Sequence, residues 1–289
     1  MSLVTLQNND LYFELSSEMG ASVTKFQDKK SGKDIFRPFP KTKKINRKNC
    51  YFSGYFLTVP YFGAIHKKTF LYQNKYISLP RTHPLEPDTI HGEGWVNKWK
   101  IKKKSKTFVE LNFYHNGKTG FPHKYLVLQK FSLLKTSLKI FVQIKNIDSS
   151  PFECGIGFHP WFHIGNNSKI SSNSFSYIQN TKNNFNRKKL TKNKFLDLNK
   201  YKIDETFLGW NGKSKLELND DIILEINNKK NVKNLHVYTP PGENFFCIEP
   251  VTNVRDSFYL KKYSKEYNGL KNLQKNKKFE AEVEFKLVR

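Results

Sequence analysis

The chain has 289 residues, 37% hydrophobic and 15% aromatic, which is enough apolar material for a sizeable core and excludes a disordered composition. Its formal net charge of +25 comes from basic residues spread along the whole chain, while the aromatics fall in alternating patterns rather than between basic residues, so no nucleic-acid stacking surface is expected. Three cysteines, Cys50, Cys154 and Cys247, form no C-x-x-C pair, which excludes a disulfide framework and a zinc knuckle. In chain order, Met1 to Phe13 reads as strand-like sequence without an apolar leader. No apolar run nears the ~18 residues of a membrane span. The expectation is a cytoplasmic protein with no membrane or nucleic-acid partner.

Period-two alternation then dominates. Short alternating runs fall at Thr107–Tyr114 and Lys124–Phe131. Leu138, Ile140, Val142 and Ile144 alternate with polar or outward residues, as do Phe279, Ala281, Val283, Phe285 and Leu287 near the end. Between them lie Lys215–Leu218, Ile222–Ile226 and Asn234–Thr239. Each is a strand with one buried face. Asn116-Gly117, Asn211-Gly212 and Pro240-Pro241-Gly242 are the turns. The polar stretches Lys41–Lys48 and Thr181–Lys200 read as solvated loops, and no helix of three turns is apparent. Cys154 and Cys247 lie in apolar runs and read as small core residues. The pattern predicts an all-β protein, one large antiparallel β-sandwich domain over residues 1–289.

Three segments place polar residues in apolar or glycine-rich surroundings: Thr89 to Trp95, Gly155 to Phe162, and Phe245 to Thr252. In the second, an extended chain puts Gly155, Gly157, His159 and Trp161 on one face, with Ile156, Phe158 and Phe162 on the other. The glycines leave space beside His159, and Trp161 gives that space an apolar wall. A histidine satisfied by a backbone carbonyl is the equal alternative on pattern alone. In the third segment Glu249 shares a face with Phe245 and Cys247. A carboxylate there is costly to bury, and burial raises its pKa towards that of a general base. A structural ion pair is the alternative. His91 sits between close-approach glycines, Gly92 and Gly94. His83, His115 and His123 read as surface residues, and the His and Cys spacings carry no metal signature.

Read together and in order, these segments resemble the aldose 1-epimerase family, whose members share the galactose mutarotase-like β-sandwich, or supersandwich. The likeness runs through Leu11-Tyr12-Phe13-Glu14-Leu15, Val59-Pro60-Tyr61, His91-Gly92-Glu93-Gly94-Trp95 and Gly157-Phe158-His159-Pro160-Trp161-Phe162. It continues through Ile203 to Gly212, Val237 to Glu243, and Phe246-Cys247-Ile248-Glu249-Pro250-Val251-Thr252. The resemblance implies an isomerase that interconverts the α and β anomers of an aldose. Glu249 would take the proton from the anomeric hydroxyl and His159 would protonate the ring oxygen, from opposite sides of the ring. The ring opens, the C1–C2 bond rotates, and closure gives the other anomer. His91 would polarise the sugar, and Asp204 would bind its hydroxyls beside Trp161. No metal or cofactor is implied, and the partner is a small-molecule sugar taken by a monomer or weak homodimer.

One departure matters. Where the family has Asn-Arg, this chain has Gly63 and Ala64 within Pro60-Tyr61-Phe62-Gly63-Ala64-Ile65. The family arginine contacts the sugar, and His66, Lys67 and Arg81 are the nearby candidates to replace it. Two alternatives follow: a non-catalytic carbohydrate-binding protein on the same scaffold, or an epimerase of a modified sugar such as a hexose 6-phosphate.

Overall fold

The alternating runs pair with one another over long distances. Ser137–Asn146 and Lys278–Val288 lie side by side, with Leu138 opposite Phe285 and Ile140 opposite Val283. Their inward residues are buried while the lysines and glutamates between them point away. The computed structural model describes residues 3–173, 175–181, 184–191, 194–219, 222–260 and 268–289.

Among these, two large antiparallel sheets carry the architecture. One has nine strands, in the spatial order Phe195–Asp197, Lys169–Ser171, Lys213–Asn219, Ile222–Lys230, Lys278–Val288, Ser137–Asn146, Lys124–Leu133, Phe108–Asn116 and Lys100–Lys104. The other has eight, in the order Leu3–Gln7, Leu11–Ser16, Ser22–Asp28, Tyr55–Thr58, Gly157–His163, Phe245–Val251, Asn234–Tyr238 and Asp204–Leu208. The sheets meet face to face over an aromatic core. Phe13 and Tyr55 of the eight-stranded sheet reach Phe131 of the other, with centroids 5.1 and 5.8 Å apart, and Phe36 meets Phe285 at 5.3 Å. Such ring pairs add ~0.5–1.5 kcal/mol each beyond the area they bury. The predicted all-β sandwich is the observed fold.

Two expectations change. Part of the stretch read as a loop at Thr181–Lys200 is strand: Asn184–Lys189 pairs with Ser176–Thr181, and Phe195–Asp197 edges the nine-stranded sheet. Backbone pairing at a sheet edge needs no apolar alternation, so the period carried no signal there. The histidines read as surface residues, His83, His115 and His123, are buried. His115 Nε2 lies 2.7 Å from the Phe121 carbonyl and His83 Nε2 3.1 Å from the Lys48 carbonyl, while His123 faces Asp148 at 3.7 Å. Backbone partners and aromatic neighbours make their burial affordable in a way spacing does not reveal.

The eight-stranded sheet has a second face, turned away from the sandwich core. Loops around residues 37–54 and 80–99 cover it, and Met19, Phe56, Trp95, Trp161 and Cys247 form a smaller cluster beneath them. The polar residues of interest stand on this face.

Candidate active site

Five neighbouring strands each present residues to the covered face. Along Gly157–His163, Phe158 and Phe162 point into the main core, which turns His159 and Trp161 outward. Along Phe245–Val251, Phe246 and Ile248 point inward and Phe245, Cys247 and Glu249 outward. In the same way Tyr55–Thr58 presents Phe56, Asn234–Tyr238 presents His236, and Asp204–Leu208 presents Asp204 and Thr206. Register does the rest. Gly157 pairs with Val251 and Trp161 with Cys247, which sets His159 against Glu249. On the far side of that strand His236 pairs with Glu249.

His159 Nε2 and Glu249 Oε1 lie 3.3 Å apart, and the residues are 5% and 1% exposed. Phe56 packs on the His159 ring at 4.2 Å and Trp161 lies 5.1 Å away. Behind Trp161, Arg37 sits over its ring at 4.5 Å and donates to the Tyr51 and Ser53 carbonyls. Burial pushes the Glu249 carboxyl well above its ordinary range, and the nearby Asp204 charge adds to this. Burial pushes His159 well down, with His91 and His236 reinforcing it. Close contact favours an ion pair, while desolvation of both partners opposes it. Glu249 Oε2 and His159 Nδ1 are buried with no hydrogen-bond partner among the described residues. Cys247 joins them: one potential ligand atom from each of His159, Cys247 and Glu249 lies within 4.8 Å of the others, a grouping made by register and invisible to spacing.

His91 reaches the same space from a loop. Its backbone is left-handed, with φ +63, and its amide donates to the Gly63 carbonyl at 2.9 Å. The next residue must be glycine, since a Cβ on Gly92 would stand 2.3 Å from the Val59 carbonyl oxygen. Gly63 N–H donates to His91 Nδ1 at 3.1 Å, so in the neutral ring the proton is on Nε2. Burial holds His91 at about 3, with His236 also lowering it, and the ring stays neutral at ordinary pH. The His91 and His159 rings are edge to face, 5.2 Å apart.

The third cluster forms one edge. His236 Nε2 lies 3.3 Å from Asp204 Oδ1, and the Thr206 hydroxyl is 3.0 Å from His236 Nδ1. The other Asp204 oxygen pairs with the Arg255 guanidinium. Burial alone would raise Asp204, but His236 and Arg255 outweigh it and hold the carboxyl at about 2.

Thus Glu249, His159 and His91, each singled out from sequence, come together, with Trp161 beside His159 and Asp204 at the rim through His236. His159 and Glu249 project side by side from adjacent strands. The side chain of His66 lies outside the described residues. Lys67 lines a separate cavity of ≈870 Å³ with Phe70, Tyr72 and Phe258, and Arg81 is exposed. Sequence reasoning missed His236 and Arg255. His236 carries a readable signal, a polar residue between Leu235 and Val237 on the outward face of a strand. Arg255 follows the end of a strand and has none.

Residues 2–286 match the aldose 1-epimerase family. The chain belongs to that family. The uncharacterized protein YphB of Escherichia coli K12 is 23% identical over 280 residues, covering 90% of this chain and 91% of YphB. A galactose mutarotase-like protein from Clostridium acetobutylicum superposes with a TM-score of 0.84 at 17% identity, over 99% of this chain and 95% of that one. A galactose 1-epimerase from Lactobacillus acidophilus NCFM does so with a TM-score of 0.73 at 13% identity, over 98% and 93%. At these identities the structural likenesses establish the aldose 1-epimerase family fold and leave the substrate to be argued from the residues.

Proposed function

We propose that this protein interconverts the α and β anomers of an aldose. The observation that carries the reading is the buried Glu249–His159 contact at 3.3 Å, floored by a sheet, with the ring of a neutral His91 5.2 Å from that of His159. Ring opening removes a proton from the anomeric hydroxyl and adds one to the ring oxygen. Both oxygens are bonded to the same carbon, so adjacent groups serve better than opposed ones. The pair needs one mobile proton between its two members. Opening takes the substrate proton onto one member and releases the proton of the other, which leaves the pair in its alternate tautomer. Closure after rotation reverses both transfers and restores it. With Glu249 as base and His159 as acid, the cycle starts from carboxylate and imidazolium. Hydrogen bonds from sugar hydroxyls favour that charged form over the neutral one. His91 donates to the oxygen that gains charge as the ring opens. Acid and base suffice for this chemistry, and the proposed reaction draws on no cofactor.

The test is mutarotation of freshly dissolved α-glucose or α-galactose followed by polarimetry, with the uncatalysed rate subtracted. A rate proportional to enzyme is expected. Its absence with these sugars and with their 6-phosphates would leave a non-catalytic sugar-binding protein as the better reading. The pH profile carries the sign of the two shifts. A second proton on the pair stops the reaction, and since the His159 pKa is depressed, the acid limb of kcat/KM should lie below 6.5. Loss of the single proton also stops it, and since the Glu249 pKa is raised, the alkaline limb should lie above 4.5. An acid limb above 6.5 would contradict the assignment.

A further inference from the structure

Gly63 and Ala64 leave the loop beside His91 without a long side chain, and Arg255 stands against it. A Cβ on Gly63, whose φ is +82, would be 3.0 Å from Arg255 Cα and 3.6 Å from Arg255 Cβ. Asn253 ties these two segments together. Its side-chain oxygen accepts from Phe62 N–H at 3.1 Å, and its amide nitrogen lies 2.9 Å from the Phe62 carbonyl and 3.0 Å from Ser257 Oγ. The Arg255 backbone N–H lies 3.4 Å from Thr206 Oγ1, the hydroxyl that contacts His236. The guanidinium pairs with Asp204, and the two side chains are 49% and 47% exposed. Arg255 is close enough to His91 and His236 for its charge to lower both. Most half-exposed ion pairs do little. This one stands on a buried histidine whose other nitrogen is fixed, at the rim of a cluster in which Glu249 Oε2, His159 Nδ1 and Trp161 Nε1 are buried without a hydrogen-bond partner among the described residues.

We propose that Arg255 is a substrate-gripping residue, presenting with Asp204 a donor and an acceptor side by side to vicinal hydroxyls of a neutral aldose. The inference rests on the sugar-site reading above. The guanidinium charge is balanced by Asp204, which stays ionised across ordinary pH, so this edge offers no net positive charge to a phosphate. A planar fork can hold two sugar oxygens, which a lysine cannot do with the same geometry.

The experiment compares wild type with Arg255→Ala and Arg255→Lys, checking the fold of each by circular dichroism. Two readouts are taken: mutarotation kinetics of glucose and galactose, and binding of 1,5-anhydroglucitol, which lacks the anomeric hydroxyl and cannot react. Losing charge-assisted hydrogen bonds of ~1.5–3 kcal/mol corresponds to ~10- to 150-fold weaker binding. Arg255→Ala should therefore raise KM and weaken anhydroglucitol binding by that range, with kcat within about threefold, and Arg255→Lys should fall between. An unchanged KM, or a loss confined to kcat, overturns the inference and leaves the epimerase reading standing. A clear preference of wild type for the 6-phosphate over the free sugar, lost in Arg255→Ala, also overturns it, because Arg255 would then be a phosphate ligand. If wild type shows no mutarotation yet binds anhydroglucitol through Arg255, the enzyme reading fails and the inference holds. If it does neither, both fall.

Discussion

At Glu249, stability and chemistry pull in opposite directions. Burial sets its folded-state pKa above the 4.5 of an ordinary glutamate. Below pH 4.5 the folded and unfolded chains both hold the proton. As pH rises from 4.5 through the folded-state value, the unfolded chain releases a proton that the folded chain keeps, and stability falls. Gln at this position does not titrate. Glu249→Gln should therefore melt close to wild type at pH 4 and above it at pH 8, as scanning calorimetry would show; equal melting temperatures at pH 8 would mean the carboxyl is not desolvated. The same substitution, and His159→Ala, should each cut the catalysed rate by at least ~10²-fold. Near wild-type mutarotation in either variant removes that residue from the proton relay.

Between strands, the loops set the edge of the site. Asn253 makes hydrogen bonds to Phe62 on both its N–H and carbonyl, and to Val254 and Ser257. Its removal leaves buried backbone groups unpaired at a cost of ~1–3 kcal/mol each. Asn253→Ala should lose about 3 kcal/mol in urea unfolding and raise KM, because Arg255 is placed through it. A loss under ~0.5 kcal/mol would show that water replaces the amide. The same elements mark what the sequence made legible. Period two revealed the strands, since one face of each had to be apolar, and it revealed which faces His159 and Glu249 share with Trp161 and Cys247. It could not reveal that Gly157–His163 lies between Tyr55–Thr58 and Phe245–Val251, because strand order is settled by contacts roughly a hundred residues apart in the chain. His236 is legible as a polar residue on an outward face, but its pairing with Glu249 across the ladder is not. Arg255 escaped because one charge among 50 lysines and arginines carries no local mark.

Across the whole molecule, the +25 charge has no counterpart in the chemistry proposed here. Duplex DNA should bind weakly, with an affinity that falls steeply between about 50 and 200 mM salt. Submicromolar, sequence-specific binding at physiological salt would give the charge a function. The site, in contrast, belongs to a sheet that serves two masters. On each of the five strands of that sheet that carry the site, neighbouring positions answer alternately to the aromatic core and to the covered face. Ile248 is judged by how it packs and Glu249 by what it does, one peptide bond apart. Such a surface can be rewritten on one side while the other stays constant. A randomised library confined to outward residues such as Thr206 and Tyr238, with Arg255 at the rim, would explore new sugars at little risk to the main core. The same number of changes at Phe158, Leu235 and Ile248 would be filtered out before any sugar was met.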